Sequence, residues 1–473
     1  MADIDPKLSG GMARSRGISW PRLMETDARP VPDFLARESY TYLGSDPIPA
    51  DRYTSAAFAA RENAEMWPNV WQFAAREEDL PEPGDFSLYD NAGRSYLISR
   101  QEDGSVRAFH NVCLHRGRKL KTEPGTADAF VCPFHGFTWN KDGSLKAIPC
   151  RWDFGHLADA DMALPEAEVG RWGGYIFVRE NPGGPGLEDF LAPLPEHFKR
   201  WRHEECTTAV WVAKVVPANW KVVMEAFMEA WHTMVTHPQI LPFTGDENSA
   251  YWTWGDNVNA NLVPFGIMSP HLDPGDKQQQ WIVDQFIKFN GRSADSYEAD
   301  TGENAADAFA VTVPEGVTAR HALGAAMREN YTRTTGHDHE QATDAELLDA
   351  LVYNVFPNFA PWGGYMPNIV YRFRPGQDVD HCLMEVRVLT RVPPGQPIPA
   401  GVPMKFLGDT QPWTDAAELG VLATVFEQDM SNLPYVQQGL KASKTGVINL
   451  GDYQEIRIRH FHATLDKYIG VEP

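Results

Sequence analysis

Apolar positions along the chain recur in two rhythms. Between residues 84 and 180 they come in short runs with every second position apolar or aromatic: SYLISRQ, VRAFHNV, DAFVCPF, FTWNK and GYIFVRE. Turn residues separate them, Glu102-Asp103-Gly104 and Lys141-Asp142-Gly143 among them. This pattern predicts a small all-β unit. MWPNVWQFAAREEDL, just upstream, alternates aromatics and predicts a strand, preceded by a short helix over about 54–66. Residues 1–55 are rich in Pro, Asp and Arg and read as an arm with little regular structure.

NPGGPG at 181–186 punctuates the chain as a linker. Beyond it the rhythm changes. LEDFLAPLPEHFKRW predicts a helix, ECTTAVWVAKVVPANW a strand, and EAFMEAWHTMVTHP (225–238) a helix with Phe227, Met228, Trp231 and Val235 at helical intervals. NIVYRFRP and CLMEVRVLTRVP predict strands, TDAAELGVLATVFEQDMSNLPYVQQGL a long helix, and IRIRHFHATLDKYI a closing one. Residues 270–345, acidic and Gly-rich around NGRSADSYEADTGENAADAFA, read as a long insertion, a lid or surface excursion. The expected organisation is an arm (1–55), a small β domain (56–182) and an α+β domain (183–473) carrying the insertion at about 270–345.

The chain has 473 residues, 43% hydrophobic and 11% aromatic, which is globular composition. A formal charge of -22 argues against nucleic-acid binding. MADIDPKLSG has no basic lead and no apolar core, and no apolar run reaches membrane-spanning length, so a cytoplasmic location is expected. Five cysteines in a chain of this length do not make a disulfide framework.

Two of those cysteines stand in a pattern, Cys113-x-His115 and, after sixteen intervening residues, Cys132-x2-His135. A Cys2His2 zinc finger pairs its cysteines first. Here each pair mixes sulfur and nitrogen, which suits a [2Fe-2S] cluster with two thiolates on one iron and two imidazoles on the other. Gly117 and Gly136 fit tight loops and Pro133 a fixed bend. In EAFMEAWHTMVTHP, His232 and His237 are five residues apart, so a bend or break is needed for both to face one ion. Two histidines and one carboxylate form the facial arrangement that leaves iron open.

"CLHRG" followed by "CPFHGFTW" resembles the Rieske signature, with GSVRAFHNVC before it and DGSLKAIP after it. The chain is similar, over roughly 60–470 and less so in the insertion, to the alpha (large, terminal oxygenase) subunits of Rieske non-haem iron ring-hydroxylating oxygenases. That resemblance implies an antiparallel sheet around a long helix. It implies a [2Fe-2S] cluster on Cys113, His115, Cys132 and His135, and Fe(2+) on His232, His237 and Asp429, with Glu427 the competing acid. Glu229, three residues before His232, matches the family's bridging acid, which reaches a cluster histidine of a neighbouring subunit, here His135. The family more often has Asp there; the Glu form resembles monooxygenase branches. Glu225 matches the head of the family's E-N-F run, but Ala226 replaces the Asn, and its role stays open.

The implied activity is oxygenation of an aromatic or similar apolar compound with O2 and electrons from an NAD(P)H-dependent reductase, with or without a ferredoxin. Oxidative N- or O-dealkylation is the alternative. The implied assembly is a homotrimer, with or without a small beta subunit. Phe227, Met228, Trp231, Val235, Leu262, Phe265 and Phe356 are candidates to line a substrate cavity. A lone electron carrier leaves the second histidine motif unexplained, and a zinc-stabilised scaffold would be colourless.

Overall fold

The computed structural model describes residues 18–294, 310–365 and 368–471. Residues 1–17 and the centre of the acidic insertion lie outside them.

The segment 70–180 forms a seven-stranded sheet, ordered Gln72–Arg76, Tyr175–Arg179, Glu166–Trp172, Val106–His110, Arg94–Arg100, Asp85–Asn91 and Gly125–Thr126. A three-stranded sheet of Ala129–Val131, Thr138–Asn140 and Leu145–Ala147 accompanies it. The short strands follow from their turns. Gly143 has φ +80°, and a Cβ there would meet the Phe109 ring at 2.4 Å, so both conformation and space require glycine. The aromatic run 66–80 is only partly strand: Glu62–Met66 continues the helix Ala56–Arg61 as a π turn, and pairing begins at Gln72.

The second half is built on an eight-stranded sheet: Ala250–Trp254, Val258–Val263, Ala350–Val355, Phe359–Pro361, Asn368–Pro375, Cys382–Arg391, Cys206–Val216 and Lys405–Leu407. Every neighbouring pair is antiparallel except the last, which is parallel. The expected α+β class therefore holds. Helix Trp220–Glu225 packs on strands Asn368–Pro375 and Cys382–Arg391, and helix Ile456–Ile469 on Ala250–Trp254 and Val258–Val263.

Several expected elements are divided. The 187–201 helix is two, Leu187–Leu191 and Leu194–Phe198, parted at Pro193. The long helix over 414–440 splits into Val421–Met430 and Leu433–Ala442, with Pro434 in the first turn of the second. The arm is not loose in its described part. Its helix Trp20–Glu25 buries Trp20, Leu23 and Met24, and Ile48–Pro49 pairs with Val447–Ile448. Nor, in its described part, is the 270–345 region mainly a loop. It contributes helices Gln279–Ala294, Ala319–Thr335 and Asp344–Leu348, the last closed by a Thr343–Glu346 capping box.

Candidate metal centres and cavity

The two loops of the β domain share one construction. Cys113 N–H donates to Arg118 O and Gly117 N–H to Cys113 O, at 2.8 and 3.0 Å. Cys132 N–H donates to Phe137 O and Gly136 N–H to Cys132 O, at 2.8 and 2.9 Å. Gly117 and Gly136 take the same left-handed turn, φ +76° and +78°. Both cysteines are buried among Phe86, Phe109, Phe130 and Trp139, and burial, with Cys132 alongside, pushes the Cys113 thiol up. His115 and His135 lie with ring centroids 4.7 Å apart, and His135 is exposed. Arg116 Nη2 lies 3.1 Å from His135 Nε2. These four residues do not form a cage for a single ion. Among the described residues, the only group of three or more such donors within 4.8 Å of one another is a different one. A sulfur pair and a nitrogen pair held apart fit a two-iron cluster better than one zinc ion.

That other group is His232, His237 and Asp429. The expected helix over 225–238 does not form as one piece. Helix Trp220–Glu225 stops, the chain turns through 226–231, and a single short helix, Thr233–Thr236, separates the two histidines. Glu229 makes the restart: its carboxylate accepts the backbone N–H groups of Trp231 and of His232, and it also holds His232 Nδ1 at 2.5 Å. It therefore acts as a cap on the turn that carries His232. His237 Nδ1 donates to Gln428 Oε1 at 2.9 Å, and Gln239 Nε2 donates to the same oxygen at 2.7 Å.

With both Nδ1 atoms occupied, both Nε2 atoms turn to Asp429. Oδ1 lies 3.0 Å from His237 Nε2 and 3.7 Å from His232 Nε2. Burial opposes a charged His232, but Glu229 beside it and Asp429 beyond hold its imidazole above the usual histidine range. The donor set, its convergence and its fixed tautomers fit a divalent iron with open positions. Glu427, the competing acid, faces elsewhere and accepts the Trp413 N–H at 2.7 Å. Gln428 was not singled out from the sequence; its only signal was its place beside Asp429.

Glu225 lies outside the triad, with its side chain mostly buried. Tyr53 O–H donates to it at 3.1 Å and His462 Nε2 lies 2.9 Å away. Burial pushes its carboxyl up to about 8.

The triad stands in the wall of a cavity of about 900 Å³. Its lining is chiefly apolar, with Phe227, Phe243, Phe265, Trp362, Tyr371 and Phe426 prominent. Of the residues proposed from sequence, Phe227 and Phe265 line it. Met228, Leu262 and Phe356 belong to the main core, whereas Trp231 and Val235 point outward, 49% and 76% exposed. The insertion supplies lining that the sequence reading missed, including Phe286, Phe289 and Tyr331.

Residues 70–157 match the model of the Rieske [2Fe-2S] domain and residues 196–470 that of the ring hydroxylating alpha subunit (catalytic domain). The glycine betaine monooxygenase oxygenase subunit of Pseudomonas aeruginosa is 31% identical over 224 residues, 46% of this chain and 50% of that one. The chain thus spans about half the length of such relatives. Two solved structures share the fold at low identity. A quaternary ammonium Rieske monooxygenase with L-carnitine has TM-score 0.59 at 18% identity, over 90% of this chain and 96% of that one. Naphthalene 1,2-dioxygenase from Rhodococcus sp. bound to indole has TM-score 0.60 at 19%, over 90% and 95%.

Proposed function

The chain belongs to the alpha-subunit family of Rieske non-haem iron ring-hydroxylating oxygenases, and on that premise we propose that it is the terminal oxygenase of a multicomponent system acting on an apolar, aromatic-sized substrate. One observation carries this reading: a two-histidine, one-carboxylate triad opens on a mostly apolar cavity of about 900 Å³. Iron on His232, His237 and Asp429 supplies oxygen activation, and a [2Fe-2S] cluster on Cys113, His115, Cys132 and His135 supplies electrons from a separate NAD(P)H-dependent reductase.

The protein's own groups do the positioning. Glu229 and Gln428 accept the Nδ1 protons of His232 and His237 and thereby aim both Nε2 lone pairs inward. The aromatic wall orients the substrate and excludes water. Glu229 also serves as the link to a second copy of the chain, whose exposed His135 is the electron donor.

Exposed apolar side chains suit that assembly. Phe134 and Trp152, 55% and 83% exposed, lie on the cluster domain, and Trp231 and Val235 flank His232 along the chain. Unlike exposed apolar side chains on the two domains suit a head-to-tail ring, a homotrimer in our reading.

A second reading, monooxygenation with oxidative N- or O-dealkylation, is favoured by Glu229, longer by one methylene than the family's commoner Asp, and, for monooxygenation, by relatives named glycine betaine monooxygenase oxygenase subunit and choline monooxygenase. Turnover of the reconstituted system in labelled O2 distinguishes them. Two labelled oxygens in one product mark dihydroxylation, and a released aldehyde marks dealkylation. Reductant consumed without any oxygenated product from apolar substrates would overturn the proposal.

A further inference from the structure

In the cavity wall one polar side chain is oriented with unusual care. Asn261 lies on strand Val258–Val263, in register with Tyr251 on one side and Val352 on the other. Alternation along the strand sends Val258, Ala260 and Leu262 into the main core. Asn259, Asn261 and Val263 take the opposite face, and both Asn261 and Val263 line the cavity. Asn261 is 2% exposed. Of the other lining amides, Asn290 is exposed and Asn330 half-buried, and Lys288 and Glu418 are exposed.

Behind Asn261 sits Arg457, on helix Ile456–Ile469 and 0% exposed. Its Nε donates to Asn259 Oδ1 at 2.7 Å, and its Nη1 donates to Asn261 Oδ1 and to Phe227 O. Among the described residues no carboxylate lies within ion-pair distance of it. Burial lowers it to about 9. A buried guanidinium without an acid is expensive, and this one is spent on fixing two amides and the turn at Phe227 that leads to Glu229 and His232.

Arginine can only donate, so Oδ1 of Asn261 must face it and the amide cannot flip. Nδ2, with two donor hydrogens, then has no acceptor among the described residues and opens on the cavity. Nearby, Tyr251 Oη and Arg457 Nη2 are likewise buried without an acceptor.

We infer that Asn261 is a specificity-determining residue whose Nδ2 donates to a hydrogen-bond-accepting oxygen on the substrate's apolar body, with Arg457 as the residue that positions it. This rests on the reading of the cavity as the substrate site. A site built to donate discriminates against analogues that lack the acceptor, because a buried donor is then left unmade.

The test uses two probes of nearly equal shape, acetophenone and α-methylstyrene, which differ in C=O against C=CH2. Their dissociation constants are measured by calorimetry on the oxidised, metal-loaded enzyme without reductant, so that no turnover intervenes. Asn261→Leu should shift the ratio of the two constants against acetophenone by about threefold to tenfold. Asn261→Asp keeps the volume and gives Arg457 a partner, and it should shift the ratio in the same direction, which decides the matter if the leucine variant does not fold. Both probes bound with an unchanged ratio would overturn this inference alone. Neither probe bound by the wild type would overturn the cavity reading, and this inference with it.

Discussion

Glu225 and Glu229 stand four residues apart and do opposite work. Glu225 is sealed among Tyr53, His462, Lys221 and Arg52, with Glu62 paired to Lys221 at 2.6 Å. Burial keeps His462 neutral, so its Nε2 accepts a hydrogen bond from the protonated Glu225 carboxyl, whose ordinary range is displaced up to about 8. The folded protein therefore holds a proton that the unfolded chain releases near 4.5, and stability falls as pH rises through that window. Glu225→Gln imitates the protonated acid and removes the slope. Its stability relative to wild type should increase from about pH 4.5 to about pH 8, by at most about 1.4 kcal/mol per unit. Glu455, pushed up to about 7 by burial, titrates in the same window in both proteins and largely cancels in the difference. Denaturant melts at a series of pH values read this directly, and parallel curves would contradict it. Glu229→Gln tests a different role. Both metals should stay bound, while turnover falls about tenfold to a hundredfold because His232 loses its charged partner and the electron path its bridge. Unchanged turnover would refute that role.

Among the elements, the arm makes the clearest prediction. Leu23 is 3% exposed in the main core, so Leu23→Ala should cost about 2–5 kcal/mol in denaturant unfolding. A change within about 0.5 kcal/mol would mean that the arm is only draped on the surface. The arm also shows why some elements were not legible. Its Pro, Asp and Arg content hid short helices whose stability comes from docking, since Asp27 accepts the N–H groups of Asp344 and Ala345, far along the chain. In the 270–345 region, Ile282, Phe286 and Phe289 already stood at helical spacing, but the acidic stretch that follows outweighed them. The short strands between Asp-Gly turns were legible because their signals are local. The break after Glu225 was not, because it depends on Glu229 folding back on its own downstream backbone. The triad histidines could be named from spacing, and Asp429 only from resemblance. Resemblance put Asp429 ahead of Glu427, and in the structure Glu427 accepts the Trp413 N–H instead.

For the whole molecule, the proposed head-to-tail ring would bring the exposed His135 of one copy to the triad of the next. If electrons cross between chains, co-assembled His135→Ala and His232→Ala subunits should recover activity that each lacks alone. In randomly mixed rings about a quarter of the contacts pair an intact cluster with an intact triad. Recovery near that fraction supports transfer between chains, and no recovery in verified mixed rings argues for transfer within one. The central claim, two separate metal centres in one chain, is tested most directly by iron and acid-labile sulfide analysis of wild type and His237→Ala. Wild type should hold about three irons and about two sulfides per chain, and the variant about two of each with its brown colour intact. Loss of cluster and colour together with the third iron, or retention of all three irons, would contradict the account.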